Sequence, residues 1–169
     1  NEQLWRVVMA NHRTPRNTWG DFHAMIGALN IGERRLLELV DRYDLPTVID
    51  GARQLIDYSE RRPKDEIAEL PEGEYSSSMM VEDDGVTDEP FEVKVKLVIK
   101  DGRVIADFTG TSPQVRGPMN CTFVVAASAL YNAIFSVVDP QDLVPRNSGC
   151  YRPSQIIAPP GSVVNVRYP

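Results

Sequence analysis

Two polar segments rich in glycine and proline hold the side chains best suited to bind a small polar molecule. Residues 107–120 have the sequence DFTGTSPQVRGPMN, and residues 146–153 have the sequence RNSGCYRP. A guanidinium group, a carboxamide and the backbone N–H groups of a loop that opens a helix can all be directed at an anion or a polarised carbonyl. In residues 107–120 the candidate binding groups are therefore the guanidinium of Arg116 and the carboxamide of Asn120, and residues 146–153 share these features.

A purely structural role is the alternative for both segments. In residues 107–120 the glycines and prolines can fix the backbone of a turn, and Asn120 can cap the helix expected after it. Taken alone, this segment fits the capped turn better than a binding loop. None of the candidate residues is assigned as an acid, a base or a nucleophile.

The rest of the sequence contains no self-contained active site of a recognised type. It lacks a GxSxG nucleophile elbow, an SxxK pair and a GxxxxGK[ST] phosphate loop.

His12 and His23 belong to no His/Asp cluster, so we expect both to be structural or exposed. Cys121 and Cys150 have no CxxC motif beside them, which favours reduced thiols over a zinc site or a disulfide. We predict no metal site within the chain.

The acidic segment 83–90, DDGVTDEP, raises the question of calcium binding. Its carboxylates do not follow the ligand spacing of an EF-hand loop, and the terminal glutamate of such a loop is missing. We therefore predict a solvated turn.

The composition is that of an ordinary folded protein. The 169 residues are 42% hydrophobic and 25% charged, as expected for one domain or a piece of a larger one. A net charge of −6 argues against general nucleic-acid binding. No apolar run approaches the roughly 18 to 20 residues of a membrane span, and no export signal is visible, so we expect a cytoplasmic protein. Both termini look like cut ends, which predicts a segment of a longer polypeptide.

Apolar residues at spacings of three and four predict two helices in the N-terminal part. The first runs from Thr18 to Tyr43, and the second begins near Pro46, which suits the first turn of a helix. So short a connection predicts an antiparallel pair. Pro63 should kink or briefly break the second helix, because its ring clashes with the carbonyl of Ser59.

The period then changes to that of strands. Residues 91–99 alternate between apolar and polar side chains, and Asp101-Gly102 is a hairpin turn leading to a strand over 103–108. With a preceding strand over 74–82, these segments form an antiparallel meander.

The remaining segments complete an α+β fold. Residues 122–138 predict a mostly buried helix, and the apolar segments 155–158 and 163–166 predict short C-terminal strands. The fold is thus a helical hairpin, a β-meander, a buried helix and short strands. It divides into a helical region, 1–72, and a β-rich region, 73–169.

Six short motifs in a fixed order are distributed over most of the chain, between residues 13 and 153. They are RTP at 13–15, GDF at 20–22, GERRL at 32–36, DYSERR at 57–62, the segment 107–120 and NSGCYRP at 147–153. Together they resemble the hydantoinase B/oxoprolinase family. The resemblance implies an ATP-dependent amidohydrolase that opens cyclic amides of the hydantoin, N-methylhydantoin or 5-oxoproline type.

The resemblance also implies site residues, partners and cofactors. It makes Arg116, Asn120, Asn147 and Arg152 the candidate substrate-binding residues. A hydantoinase A-like subunit or domain would bind ATP, and a divalent metal would be held by a motif upstream of this segment. Our leading hypothesis is that the chain supplies scaffold and part of the wall of a site completed elsewhere, and is inactive in isolation. The alternatives are a subunit of an acetone or acetophenone carboxylase and a non-catalytic module whose helices dock the A-type partner.

Overall fold

The computed structural model describes residues 2–168 and confirms the α+β class. Its helices are α1 (Glu2–Ala10), α2 (Pro15–Tyr43), α3 (Leu45–Ala68) and α4 (Phe123–Val138). Its strands are β1 (Gly73–Val81), β2 (Phe91–Lys100), β3 (Arg103–Asp107) and β4 (Ser154–Ile157). The chain forms two compact units, Asn1–Ala52 and Arg53–Pro169, so the division lies inside α3.

In the first unit, aromatic side chains of α1 and α2 pack together. The ring of Trp5 lies 5.0 Å from that of Trp19 and 5.4 Å from that of Phe22, centre to centre and edge to face. His23 is exposed and stacks on Trp5, as expected for a histidine without a catalytic partner. Within this unit α1 and α2 pack together. The hairpin expected of the helices flanking Pro46 stays a prediction, because the division between the two units lies inside the second of those helices.

Helix α3 is continuous through Pro63, so the alternative of a short break is wrong, while a kink at this position stays a prediction. The residues buried on this helix are Ser59, Pro63 and Ile67, which recur every four residues on one face. Burial of this face, with Ile67 fully inaccessible to solvent, offsets the hydrogen bond that proline cannot donate. Tertiary packing therefore overrides the local preference.

The strands form one sheet in the order β1-β2-β3-β4. The first three pair antiparallel, which confirms the meander, and β4 joins β3 in parallel, so the sheet is mixed. Asp101 and Gly102 both adopt positive φ, 50° and 68°, as a tight hairpin turn requires. Segment 163–166 is not a strand: an isolated bridge joins Ser162 to Asn165, and the turn carries Val163 into the core.

Two hydrophobic clusters fill the second unit. The first cluster is formed by Ile67, Val104, Phe135, Val138, Val144 and Cys150, and the second by Phe91, Ala126, Val163 and Val164. Helix α4 contributes to both, but it is buried on one face only, and Val124, Val125 and Val137 are exposed. The prediction of a mostly buried helix was therefore too broad.

Both cysteines are free thiols, as predicted. Cys150 is buried, and its Sγ donates a hydrogen bond to the carbonyl of Asn147 over 3.0 Å. Burial raises the pKa of the Cys121 thiol. Among residues 2–168, no helix combines the length and the apolar character needed to cross a membrane.

Candidate functional site

The segment after β3 is fastened to strand β2 at its start. The backbone N–H of Glu92 donates to the hydroxyl of Ser112 over 2.9 Å. The hydroxyl of Thr111 both accepts from the N–H of Lys94 and donates to its carbonyl. These side chains continue the hydrogen bonding of β2 beyond the end of β3, so residues 111–112 are held in place.

Asn120 closes the loop that contains Arg116. Its Oδ1 accepts from the N–H of Val115 over 2.8 Å, and its Nδ2 donates to the carbonyls of Val115 and Gly117 over 2.7 and 3.0 Å. Both ends of the carboxamide are therefore engaged inside the loop. Asn120 fixes the backbone on each side of Arg116.

Asp84 joins this loop to the acidic segment, and the prediction of a solvated turn is wrong for it. The residue is 1% exposed. Its Oδ1 accepts from the N–H groups of Val86 and Thr87 over 2.8 and 2.6 Å, and its Oδ2 accepts from Gly117 over 2.9 Å. These donors, that of Thr87 first, hold the pKa of Asp84 at about 2, against the opposing effect of burial.

Gly117 has no room for a side chain. A Cβ atom at this position would overlap the backbone carbonyl of Asp84. The two loops are therefore in backbone contact, and the hydrogen bond from Gly117 to Asp84 depends on that close approach. Residues 83–87 and 115–120 form what we call the Asp84 clamp.

A cleft of about 300 Å³ lies beside the Asp84 clamp. Polar groups come from Asp84, Thr87, Glu89, Ser112, Gln114 and Arg116, and apolar surface comes from Pro90, Phe91, Pro113 and Val115. Arg116 is exposed, and within residues 2–168 its guanidinium has no hydrogen-bond or ion-pair partner. The cleft therefore combines an unneutralised cation with an apolar floor.

The other two candidates lie on a second loop, which contacts α3. The Nδ2 of Asn147 donates to the hydroxyl of the fully buried Ser59 over 2.8 Å, and its Oδ1 accepts from Gly149 over 2.8 Å. A Cβ atom on Gly149 would overlap the carbonyl of Ile56. Asn147 thus holds this loop against α3.

Arg152 is paired with acidic side chains of α3. Its guanidinium donates to Glu60 over 2.8 Å and lies 3.8 Å from Asp57. The hydrogen bond to Glu60 raises the pKa of Arg152. The structure therefore groups Asn147 with Arg152 beside the first cluster and Arg116 with Asn120 beside the second, and no hydrogen bond or ion pair between described residues joins the two pairs.

A larger cleft, of about 390 Å³, borders α4 and the second loop. Its cation, Arg146, stacks 3.7 Å above the ring of Phe135 and pairs with Asp139 at 3.1 Å and Asp142 at 2.7 Å. Two carboxylates already neutralise this guanidinium. The cleft beside Arg116 is therefore better equipped to bind a developing negative charge, although it is the smaller of the two.

Sequence reasoning missed Asp84 and Ser59. Asp84 is followed two and three residues later by the N–H groups it binds, an Asx-type pattern that the acidic composition concealed. Ser59 lies within the DYSERR motif, but its partner is 88 positions away. Among residues 2–168, no group of three or more His, Cys, Asp or Glu side chains is arranged to hold a metal ion.

Comparisons with known proteins place this geometry in a family. The chain is 33% identical to a protein of Pseudomonas sp. (strain NS671) described as the putative B-type component of a D-/L-hydantoinase, over 100% of this chain and 30% of that protein. It superimposes with a TM-score of 0.81 on the ATP-dependent caprolactamase from Pseudomonas jessenii, at 25% identity over 100% of this chain and 29% of that one.

A more distant neighbour has the same fold. The nucleotide-free structure of acetone carboxylase matches with a TM-score of 0.67 at 17% identity, over 78% of this chain and 19% of that one. The chain thus spans about a third or less of the proteins it matches. Residues 1–169 match the family described as Hydantoinase B/oxoprolinase, and the chain belongs to this family.

Proposed function

We propose that the full-length protein is an ATP-dependent amidohydrolase that opens cyclic amides of the hydantoin, N-methylhydantoin or 5-oxoproline type. Support comes from family membership over the whole chain and from the likeness to an ATP-dependent caprolactamase. The present chain supplies scaffold and part of the wall of the site. We expect the isolated segment to be inactive, because the groups that bind ATP and metal lie outside it.

The observation that carries this proposal is the unpaired guanidinium of Arg116 in the cleft beside the Asp84 clamp. When the amide oxygen is phosphorylated and water adds to the carbon, negative charge lies on the phosphoryl oxygens and on the added oxygen, and a positioned cation stabilises that charge. The apolar surface of Phe91 and Pro90 can contact the carbon skeleton of a small ring. Asn120, Asn147 and Arg152 serve as wall residues, which give the two loops their shape.

A partner subunit would bind the ATP that the reaction consumes. The hydantoinase relative is described as one component of a multi-part enzyme, which suggests a companion hydantoinase A-like subunit that would bind the nucleotide. Transfer of the γ-phosphoryl group to the amide oxygen releases ADP, and water then adds to the activated carbon. Breakage of the C–N bond, with a proton taken up by the leaving amine, gives an acyl phosphate, and a second water hydrolyses it to the carboxylate and inorganic phosphate. A divalent metal, held outside this segment, would neutralise phosphate charge, and the protein would be cytoplasmic.

The test is Arg116→Ala in the full-length complex. Loss of a charge-assisted contact to a developing oxyanion should lower kcat/KM by about 10- to 100-fold. Turnover is followed as ATP hydrolysis that depends on hydantoin, 5-oxoproline or caprolactam. Arg103→Ala removes an exposed arginine of β3 and is the matched control. Unchanged turnover by Arg116→Ala in an intact complex refutes the site-wall role and favours a non-catalytic assembly module.

A second candidate function is an ATP-dependent carboxylase of acetone or acetophenone. The shared fold with acetone carboxylase favours this candidate, although that likeness concerns the fold alone. The two candidates differ in their co-substrates. ATP hydrolysis that requires bicarbonate and a ketone, with no response to cyclic amides, would select the carboxylase.

A further inference from the structure

We infer that Asp84 is the positioning residue for Arg116: its buried carboxylate ties the loop that carries Arg116 to the loop that forms the opposite wall of the cleft. The inference rests on the proposed function of Arg116. It adds a residue whose carboxylate oxygens are both occupied by backbone donors and which acts on Arg116 through the backbone beside that side chain.

The first step of the argument is the place of Asp84 in the Asp84 clamp. One carboxylate oxygen accepts both hydrogen bonds from residues 86 and 87, and the other accepts from Gly117, the residue directly after Arg116. Thr87 and Arg116 both line the cleft. A single buried side chain therefore sets the separation of two walls of the same cleft.

The second step is that Arg116 depends on its backbone for direction. Its side chain has no polar partner among the described residues, so no neighbouring group aims it. Its position follows from the peptide groups before and after it, which Asn120 and Asp84 hold. A shift of about 1 Å in a charged group at a reacting centre lowers the rate strongly.

The third step concerns the charge of the carboxylate. All groups that Asp84 contacts through its side chain are donors, and a carboxylate offers only acceptors. Asparagine has an NH2 group in place of one carboxylate oxygen. That NH2 group would face a backbone N–H group, and two donors cannot form a hydrogen bond. The variant Asp84→Asn therefore keeps the size of the side chain but releases one of the two loops.

The experiment is a double-mutant cycle of Asp84→Asn and Arg116→Ala in the full-length complex. Steady-state ATP hydrolysis is measured with 5-oxoproline, hydantoin and caprolactam as separate probes. We expect Asp84→Asn to lower kcat/KM about tenfold when Arg116 is present, because a group placed off target forfeits its transition-state contact. In the Arg116→Ala background the same substitution should change kcat/KM less than about twofold. Asp88→Asn, which alters an exposed carboxylate of the same segment outside the Asp84 clamp, is the matched control.

The outcomes are distinct. If Asp84→Asn lowers kcat/KM by the same factor with and without Arg116, Asp84 stabilises the structure in general rather than the position of Arg116, and the inference is wrong. If Arg116→Ala itself leaves turnover intact, the proposed function fails first. Should Asp84→Asn prevent assembly, Thr87→Val replaces it in the same cycle, because it removes the hydroxyl that bonds the Asp84 side chain and leaves the backbone donors. Equal losses from Thr87→Val in both backgrounds would likewise overturn the inference.

Discussion

The contact between the second loop and α3 makes Gly149 a sensitive position at which to test the packing. Gly149→Ala would place a Cβ atom inside the carbonyl of Ile56, and both groups belong to the backbone. Neither can rotate away, so the loop must move off the helix. That movement breaks the contacts that depend on the present separation.

The expected loss follows from those contacts. The hydrogen bonds from Asn147 to Ser59 and from Gly149 to Asn147, each 2.8 Å long, contribute about 1 kcal/mol apiece. Loss of the first also leaves the fully buried Ser59 without that partner, and the displaced backbone adds about 1–2 kcal/mol. The exposed ion pair of Arg152 with Glu60 adds little. We expect Gly149→Ala to lower the free energy of unfolding of this region by about 3–4 kcal/mol.

Hydrogen–deuterium exchange of the full-length protein measures this loss locally. Peptides that cover residues 146–152 should exchange faster by a factor of about 100 or more. The matched control is Gly51→Ala in α3 itself, where an added Cβ atom meets nothing within 4 Å. That variant should stabilise the helix by up to about 1 kcal/mol. Unchanged exchange in Gly149→Ala, or equal effects of both substitutions, would refute the reasoning.

Two further predictions concern the core and the acidic loop. Ile67→Ala, at a fully buried position, should destabilise the protein by about 2–5 kcal/mol in denaturant unfolding, whereas Val86→Ala, at an exposed one, should cost less than about 0.5 kcal/mol. The pKa of Asp84, lowered from 3.8 to about 2, means that its carboxylate stabilises the fold above about pH 4 and loses this effect as pH falls through 2. The difference in Tm between the wild type and Asp84→Asn should therefore shrink towards pH 2, and a constant difference would contradict this assignment.

Local sequence was sufficient for elements whose signal lies in neighbouring residues. The alternation over 91–99 and the Asp101-Gly102 turn specified β2, β3 and their register, because strand period and positive φ are local properties. The apolar stripe of α2 located that helix, although it begins at Pro15, three residues before the predicted start. The break predicted at Pro63 does not occur, because one face of α3 is buried by tertiary packing, which the local sequence around the proline does not report.

The candidate site shows the same difference between what local sequence predicts and what tertiary contacts decide. Residue type selected Arg116 and Asn120, because carboxamide and guanidinium groups can bind an anion or a polarised carbonyl, and the family resemblance added Asn147 and Arg152. Residue type alone does not show which of these four side chains is free of polar partners and can bind a ligand. Asn120 and Asn147 engage both ends of their carboxamides and Arg152 is ion-paired, while Arg116 has no polar partner among residues 2–168.

The sequence by itself determined the family, the α+β class and the two loops, because motif order and local periodicity survive without tertiary contacts. Only the tertiary structure decided that Asp84 is buried and that it bonds Gly117, 33 positions away. It also decided that Ser59 meets Asn147 across 88 positions. The physical reason is that a buried polar group must find its partners wherever folding places them, and sequence distance carries no information about that placement.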